Sequence, residues 1–152
     1  MNPSKLGNYY EDFVVDEVIK HQLSKTIFES DNNIFSLLTM NHHPLHINIQ
    51  YAESSQHGKI LVVGTLVFSL VVGITVPDIS GKAIANLEYE NIKHLRPVFV
   101  GDTIYAETLI LDKRESLSRL DRGIVTVKTT GYNQDHSAVI EFKRSVLIEK
   151  KK

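Results

Sequence analysis

Cysteine does not occur among the 152 residues of this chain, which excludes disulfides, thiolate nucleophiles and cysteine-based metal shells. Charge of one sign is also missing. Seventeen basic side chains against eighteen acidic ones leave a net charge of -1, so no field draws the chain to a nucleic acid or to a membrane surface. The opening MNPSKLGNYYEDF lacks the apolar core of a signal peptide, and the expected location is the cytoplasm. No repeat, linker or low-complexity stretch interrupts the first half. With 42% hydrophobic and 23% charged residues, residues 1–152 read as one soluble domain with a core of its own.

What is present is a run of seventeen uncharged residues from Ile60 to Val76, ILVVGTLVFSLVVGITV, followed by Pro77. A bilayer span needs roughly 20 apolar residues, and this run is shorter and contains Gly64, Thr65, Ser69, Gly73 and Thr75. Its β-branched residues suit a strand, but strands run to about 8 residues, so length favours a helix. A helix apolar on all sides has to be wrapped by the rest of the chain. The run is therefore expected to be buried on nearly every side.

Ahead of it, Phe13 to Val15 form a lead-in and Leu23 to Ile27 read as a first strand. Asp31 stands where a helix N-cap belongs, because Ile34, Phe35, Leu37, Leu38 and Met40 recur behind it at helical spacing. Pro44 disfavours helical backbone at His43, so Asn41 to Leu45 is expected to be a loop. Asn48 to Ser55 suit one or two polar helical turns. After Pro77, residues 78–81 signal a turn and the pattern changes to period two. Ala83 to Tyr89, Ile104 to Leu111, Val125 to Thr130 and Ile140 to Ile148 alternate as strands, with a bulge expected near Arg144 where the parity falters. Helices first and strands later describe an α+β chain in which a curved antiparallel sheet wraps one long helix, the hot-dog architecture.

Chemistry concentrates in Asn41, His42, His43, Pro44, Leu45 and His46. Imidazole passes protons near neutral pH, which makes these residues candidates for acid/base work. Loop histidines are also ordinary polar surface residues, and His42 fits that reading. His43 and His46, three apart, raise a metal site as an alternative, but the loop holds no acid or cysteine to complete a shell.

Here the sequence resembles the MaoC-like dehydratases, the group that includes the (R)-specific enoyl-CoA hydratases. That family carries an acid at a helix start, an aromatic four residues on, and Asp-x-Asn-Pro-Leu-His with its His fifteen residues after the acid. Asp31, Phe35, Asn41, His43, Pro44, Leu45 and His46 fall on those positions without a gap. Ala52 and Gly64 match an alanine before the central helix and the glycine that opens it. RPVFVGDTIYAE, residues 96–107, is similar to the family's Pro-Val-x-x-Gly-Asp-Thr strand entry. The string LLTMNHHPLH looks like a branch acting on CoA thioesters of branched dicarboxylic acids, such as mesaconyl-CoA or itaconyl-CoA.

The resemblance implies addition of water to the double bond of an enoyl-CoA, or its reversal, without a cofactor. His46 would be the acid/base and Asn41 would orient water, while Asp31, His43, Val63 and Gly64 are the candidate substrate-binding residues. Among them the amides of Val63 and Gly64, at a helix start, would hold the enolate oxygen. The family also implies a homodimer, or an assembly of dimers, joined through the open sheet edge. The chain departs from the pattern at three places: Asn41 replaces the usual Asp, His43 an Asn, and Asn48 an acid. An amide does not accept a proton as a carboxylate does. A substrate carrying its own carboxylate would explain the loss of an acid, because like charges repel. A non-catalytic acyl-CoA-binding protein and a thioesterase on the same fold stay open as alternatives. Lys93, Arg96, Arg114 and Arg119 are available for CoA phosphates, though each also fits an ordinary surface charge.

Overall fold

The computed structural model describes residues 6–152. A 3-10 turn at Tyr10–Asp12 leads to two short strands, β1 (Val18–Lys20) and β2 (Lys25–Thr26). Three helical pieces follow, α1 (Glu29–Leu38), α2 (Pro44–Ile47) and α3 (Ile49–Glu53), and then the longer α4 (Gly64–Thr75), which continues as a π turn through Val76–Ser80. Four long strands complete the chain: β3 (Ala83–His94), β4 (Thr103–Glu115), β5 (Arg122–Tyr132) and β6 (Ala138–Glu149). The sheet order is β1-β4-β5-β6-β3, antiparallel throughout, with β2 also pairing β4. β3 is thus a free edge. No helix among the described residues is long and apolar enough to cross a membrane.

Strict alternation places Ile104, Ala106, Thr108 and Ile110 of β4 inward, and Val125, Val127 and Thr129 of β5 beside them, all buried. These inner positions wrap α4, whose Leu66, Val67, Val71 and Ile74 are buried against them. Close approach is needed where α4 crosses β5. A Cβ on Gly131 would stand 2.8 Å from a methyl carbon of Val71 and from one of Ile140, so only glycine lets helix and sheet meet there. Phe68, Tyr89 and Phe142 add an edge-to-face cluster with ring centroids 4.9–6.3 Å apart. The result is the expected hot-dog arrangement.

A polar tier cuts the core in two. Ile27, Val67, Val71, Ala106, Ile140 and Phe142 belong to one apolar cluster, and Phe13, Ile79, Ile110, Val127, Val146 and Ile148 to the other. Between them lie Thr75 of α4, Thr108 of β4, Thr129 of β5 and Arg144 of β6, all buried. His21 bonds Asp78 through Nδ1 (2.6 Å) and Thr108 through Nε2 (2.8 Å), and the Thr108 and Thr129 hydroxyls lie 2.9 Å apart. Arg144 is 1% exposed and donates from Nη2 to the Thr75 hydroxyl at 3.2 Å. Its Nε and Nη1 find no partner among the described residues, and burial pushes the guanidinium below its usual range.

Several sequence expectations change. The bulge expected near Arg144 is absent from the β5–β6 ladder, which runs through Val127↔Arg144 without a shift. The sequence parity falters there because a charged residue, Arg144, occupies an inward position. Around Arg144 the extra residues are on the β3 side of the β3–β6 ladder, at Asn86/Glu88 and Glu90/Lys93, and further shifts fall at Ala83/Ala85, at Ile110/Asp112 of β4 and at Gly131/Tyr132 of β5. The Ile60 to Val76 run is not helical throughout, nor buried on every side. Residues 60–63 approach in extended form, Pro77 sits inside the π turn, and Thr65, Ser69 and Gly73 face outward on one stripe. Leu23 to Ile27 is not one strand, since only Lys25–Thr26 pairs and Leu23 is exposed.

Candidate active site

Helix α1 begins one turn earlier than expected. Phe28 is the N-cap and Asp31 is the third helical residue, its Oδ2 accepting the Phe28 amide at 2.9 Å and the Lys25 ammonium at 2.6 Å. The Lys25 ammonium and the Phe28 amide hold the Asp31 carboxyl below its ordinary range. Asp31 therefore anchors the helix start while also lining a cavity of about 360 Å³ between α1 and α4, together with Ile27, Phe35, Leu66 and Leu70.

The apolar spacing that marks α1 does not mark its buried face. Ile34, Leu37, Leu38 and Met40 are 55–82% exposed, and only Phe35 packs on the core. The buried residues of α1 are Asn32 and Ser36, one turn apart. Asn32 is a junction: its Nδ2 donates to the carbonyls of His46 (3.2 Å) and Leu61 (3.4 Å), and its Oδ1 accepts the Val63 amide at 2.9 Å. One side chain thus ties α1 to α2 and to the entry of α4. Sequence reading missed it because a polar residue in a helix ordinarily faces water. The available signal was the Asn32 and Ser36 pair at i and i+4.

Met40, at φ 60°, ends α1, and Asn41 follows half-buried. The expected loop holds over Asn41–His43, whereas Pro44 and Leu45 already belong to the short helix α2. His43 is its N-cap, accepting the Leu45 amide on Nδ1 at 3.2 Å, and Pro44 opens it, where a missing N–H costs nothing. Asn48 caps α3 in the same way, accepting the Tyr51 amide at 3.0 Å. His46 is thereby placed on a turn fixed by caps on both sides. Its Nδ1 lies 2.7 Å from the Leu61 carbonyl, which only accepts, so the ring's proton is on Nδ1. Nε2 is left with a free lone pair. The His43 and His46 rings stand 6.0 Å apart, edge on, while His42 is exposed. The Asn41 Oδ1 accepts the His43 amide at 3.5 Å, and its Nδ2 has no partner among the described residues.

At α4 one expectation is overturned. The Val63 amide is taken by Asn32 and is not free for a ligand. Among the described residues the open donors of the first turn are the Gly64 and Thr65 amides, since those of Leu66 and Val67 already bond the Val63 carbonyl. Gly64 packs closely on His94: a Cβ there would stand 3.0–3.1 Å from the imidazole, which would have to give by a few tenths of an ångström. His94 was not singled out by the sequence, because it sits in a strand, far along the chain. It lines a second cavity of about 300 Å³ with His57, Leu61, Gly64 and Arg96. Among the described residues no three His, Asp or Glu side chains gather as a metal shell.

The segment from Asn41 to Thr65 thus carries an uncharged amide in Asn41, an imidazole bonded to the Leu61 carbonyl and, among the described residues, two unbonded backbone donors at the start of α4, beside a largely apolar cavity and a second one lined by His57, His94 and Arg96. Such a set suits proton transfer beside a carbonyl that gains negative charge. Known proteins agree in fold and pattern. A mesaconyl-CoA hydratase of Cereibacter sphaeroides is 34% identical over 145 residues, covering 95% of this chain and 42% of that protein. The crystal structure of a putative MaoC domain protein dehydratase from Chloroflexus aurantiacus superposes with a TM-score of 0.91 at 33% identity, over 97% of this chain and 42% of the other. A Mycobacterium tuberculosis protein described as having a double hotdog fold matches at a TM-score of 0.85 and 19% identity, over 95% of this chain and 45% of that one. The chain thus spans less than half the length of these relatives. The family model described as MaoC like domain matches residues 12–133, and by that match, with the fold and the His46 turn in place, the chain belongs to the MaoC-like domain family.

Proposed function

We propose that the protein is a hydro-lyase acting on the double bond of an α,β-unsaturated acyl-CoA thioester. The observation that carries this reading is His46, whose Nδ1–H is fixed on the Leu61 carbonyl so that Nε2 is presented as a base. In the hydration direction, Nε2 takes a proton from a water oriented by Asn41, and the water oxygen bonds to the β carbon. The double-bond electrons move through the α carbon to the thioester oxygen, where the Gly64 and Thr65 amides stabilise the enolate. The proton then passes from His46 to the α carbon, leaving the hydroxyacyl thioester and the neutral imidazole. His43 borders this turn, and Asp31 and Phe35 line the neighbouring cavity between α1 and α4.

The matched mesaconyl-CoA hydratase and a β-methylmalyl-CoA dehydratase of Chloroflexus aurantiacus, 33% identical over 95% of this chain, support a branched dicarboxylic acyl group. Asn41 supports it too, because an acid at that position would repel a substrate carboxylate. A second copy of the chain, joined along the open β3 edge, would complete the assembly.

The test is incubation with mesaconyl-CoA, itaconyl-CoA and crotonyl-CoA while following the conjugated thioester absorbance. Hydration is expected, and His46→Ala should lower it by about 100-fold or more with the melting temperature retained. Release of free CoA would instead mark a thioesterase. Tight binding without turnover would mark a carrier.

A further inference from the structure

The cavity beside Gly64 is chemically one-sided. Its lining contains His57, His94 and Arg96 but no Asp or Glu, and Leu61, Val62 and Val98 form its apolar walls. His94 lies opposite Ile140 in the β3–β6 ladder and so shares the inner side of the sheet, where its imidazole packs on the first turn of α4. Lys93, next to it, faces the other way and approaches Glu141 at 3.7 Å. Arg96 is held by one bond, Nη1 to the Ala138 carbonyl at 2.7 Å, and its other guanidinium donors have no partner among the described residues. The cavity touches the catalytic turn directly, because the Leu61 carbonyl that orients His46 belongs to a residue of its wall.

Two nitrogen donors on an acid-free wall suit an anion, and charge-assisted bonds to a carboxylate are the strong ones. The anion's source is either the acyl group or the CoA phosphates. Position favours the acyl group: the cavity opens at Gly64, where the thioester carbonyl lies in the reading above, and its apolar walls suit carbon on either side of a carboxylate.

We propose that His94 and Arg96 select the acyl group by binding the second carboxylate of a dicarboxylic acyl-CoA. The proposal rests on the hydratase reading for its placement of the thioester. It also accounts for the missing acid at Asn41, since the site supplies donors, and no carboxylate, where the substrate is negative. Neither residue takes part in proton transfer. They are specificity-determining.

The test compares mesaconyl-CoA with crotonyl-CoA, which has the same CoA but no second carboxylate, on the full chain and on His94→Gln and Arg96→Gln. The ratio of kcat/KM for mesaconyl-CoA over crotonyl-CoA is expected to fall by about 10- to 100-fold in each variant, mainly through KM. Arg96→Lys should recover part of the loss. Equal losses on both substrates would assign the residues to the CoA phosphates or to folding and overturn the proposal. So would an unchanged ratio, or a parent that hydrates crotonyl-CoA and not mesaconyl-CoA. If the parent hydrates neither, the hydratase reading fails, and calorimetric affinities for the two thioesters decide the proposal alone: it stands if the parent prefers mesaconyl-CoA and the variants lose that preference, and falls otherwise.

Discussion

Replacing Asn32 tests how the site is assembled. Asn32→Leu keeps the volume but strips the Val63 amide and the His46 and Leu61 carbonyls of their shared partner. An unpaired buried polar group costs about 1–3 kcal/mol, so urea denaturation should show a loss in that range or slightly above it. Activity should fall further than stability, since the Leu61 carbonyl also sets the tautomer of His46. At Asn41 the argument is electrostatic. A carboxylate at residue 41 would repel a substrate carboxylate: two like unit charges separated by about 5 Å at an effective dielectric of about 20 repel by about 3 kcal/mol before solvent screening. Asn41→Asp should therefore raise KM for mesaconyl-CoA by at least about tenfold, with far less effect on crotonyl-CoA, in steady-state assays of both. Gain of crotonyl-CoA hydration by a variant of an inert parent would identify a site that has lost its chemistry.

Among the elements, α1 best separates what was legible in the sequence from what was not. Its existence followed from the spacing of Ile34, Phe35, Leu37 and Leu38, yet that spacing named the wrong face, because periodicity reports which residues lie together and not what covers them. The position of His46 was legible through Pro44 and the motif, whereas its tautomer was not, since the Leu61 carbonyl arrives from fifteen residues away. Long strands β4 to β6 were legible by alternation. The bulges of β3 were hidden, being a property of its pairing with β6. The start of α1 also titrates. Asp31 is stabilised in its ionised form by Lys25 and the Phe28 amide, so its folded pKa lies below the ordinary 3.8. That contribution is complete above the ordinary value and disappears as pH falls through the folded one. Asp31→Asn should cost about 0.5–1 kcal/mol at pH 7, by denaturant titration, with the difference from the parent closing as acid protonates the carboxylate.

For the whole molecule, exposed apolar surface sets the expectation. Ile34, Leu37 and Leu38 on α1, Met40 just beyond it, and Ile84, Leu87 and Ile92 on the free β3 edge are each more than 40% exposed. An edge strand of twelve residues with open backbone groups is a template for another strand. Light scattering at micromolar concentration should give twice the mass of one chain, and Leu87→Lys should shift the protein toward monomer. A stable monomer in the parent would remove sheet pairing as the mode of assembly.

The polar tier across the core also governs alignment. A strand that slips by one residue turns its apolar side outward and is rejected at once, but a slip of two keeps every inward residue inward. In an entirely apolar core such neighbouring alignments would differ little in energy. Here a two-residue slip of β5 would carry Thr129 away from Thr108 and set it against aliphatic side chains, and the same slip of β6 would drive the Arg144 guanidinium into one of the apolar clusters. Thr75, Thr108, Thr129 and Arg144 thus act as a ruler, giving helix and strands one mutual setting and keeping His94, at the far end of β3, level with Gly64.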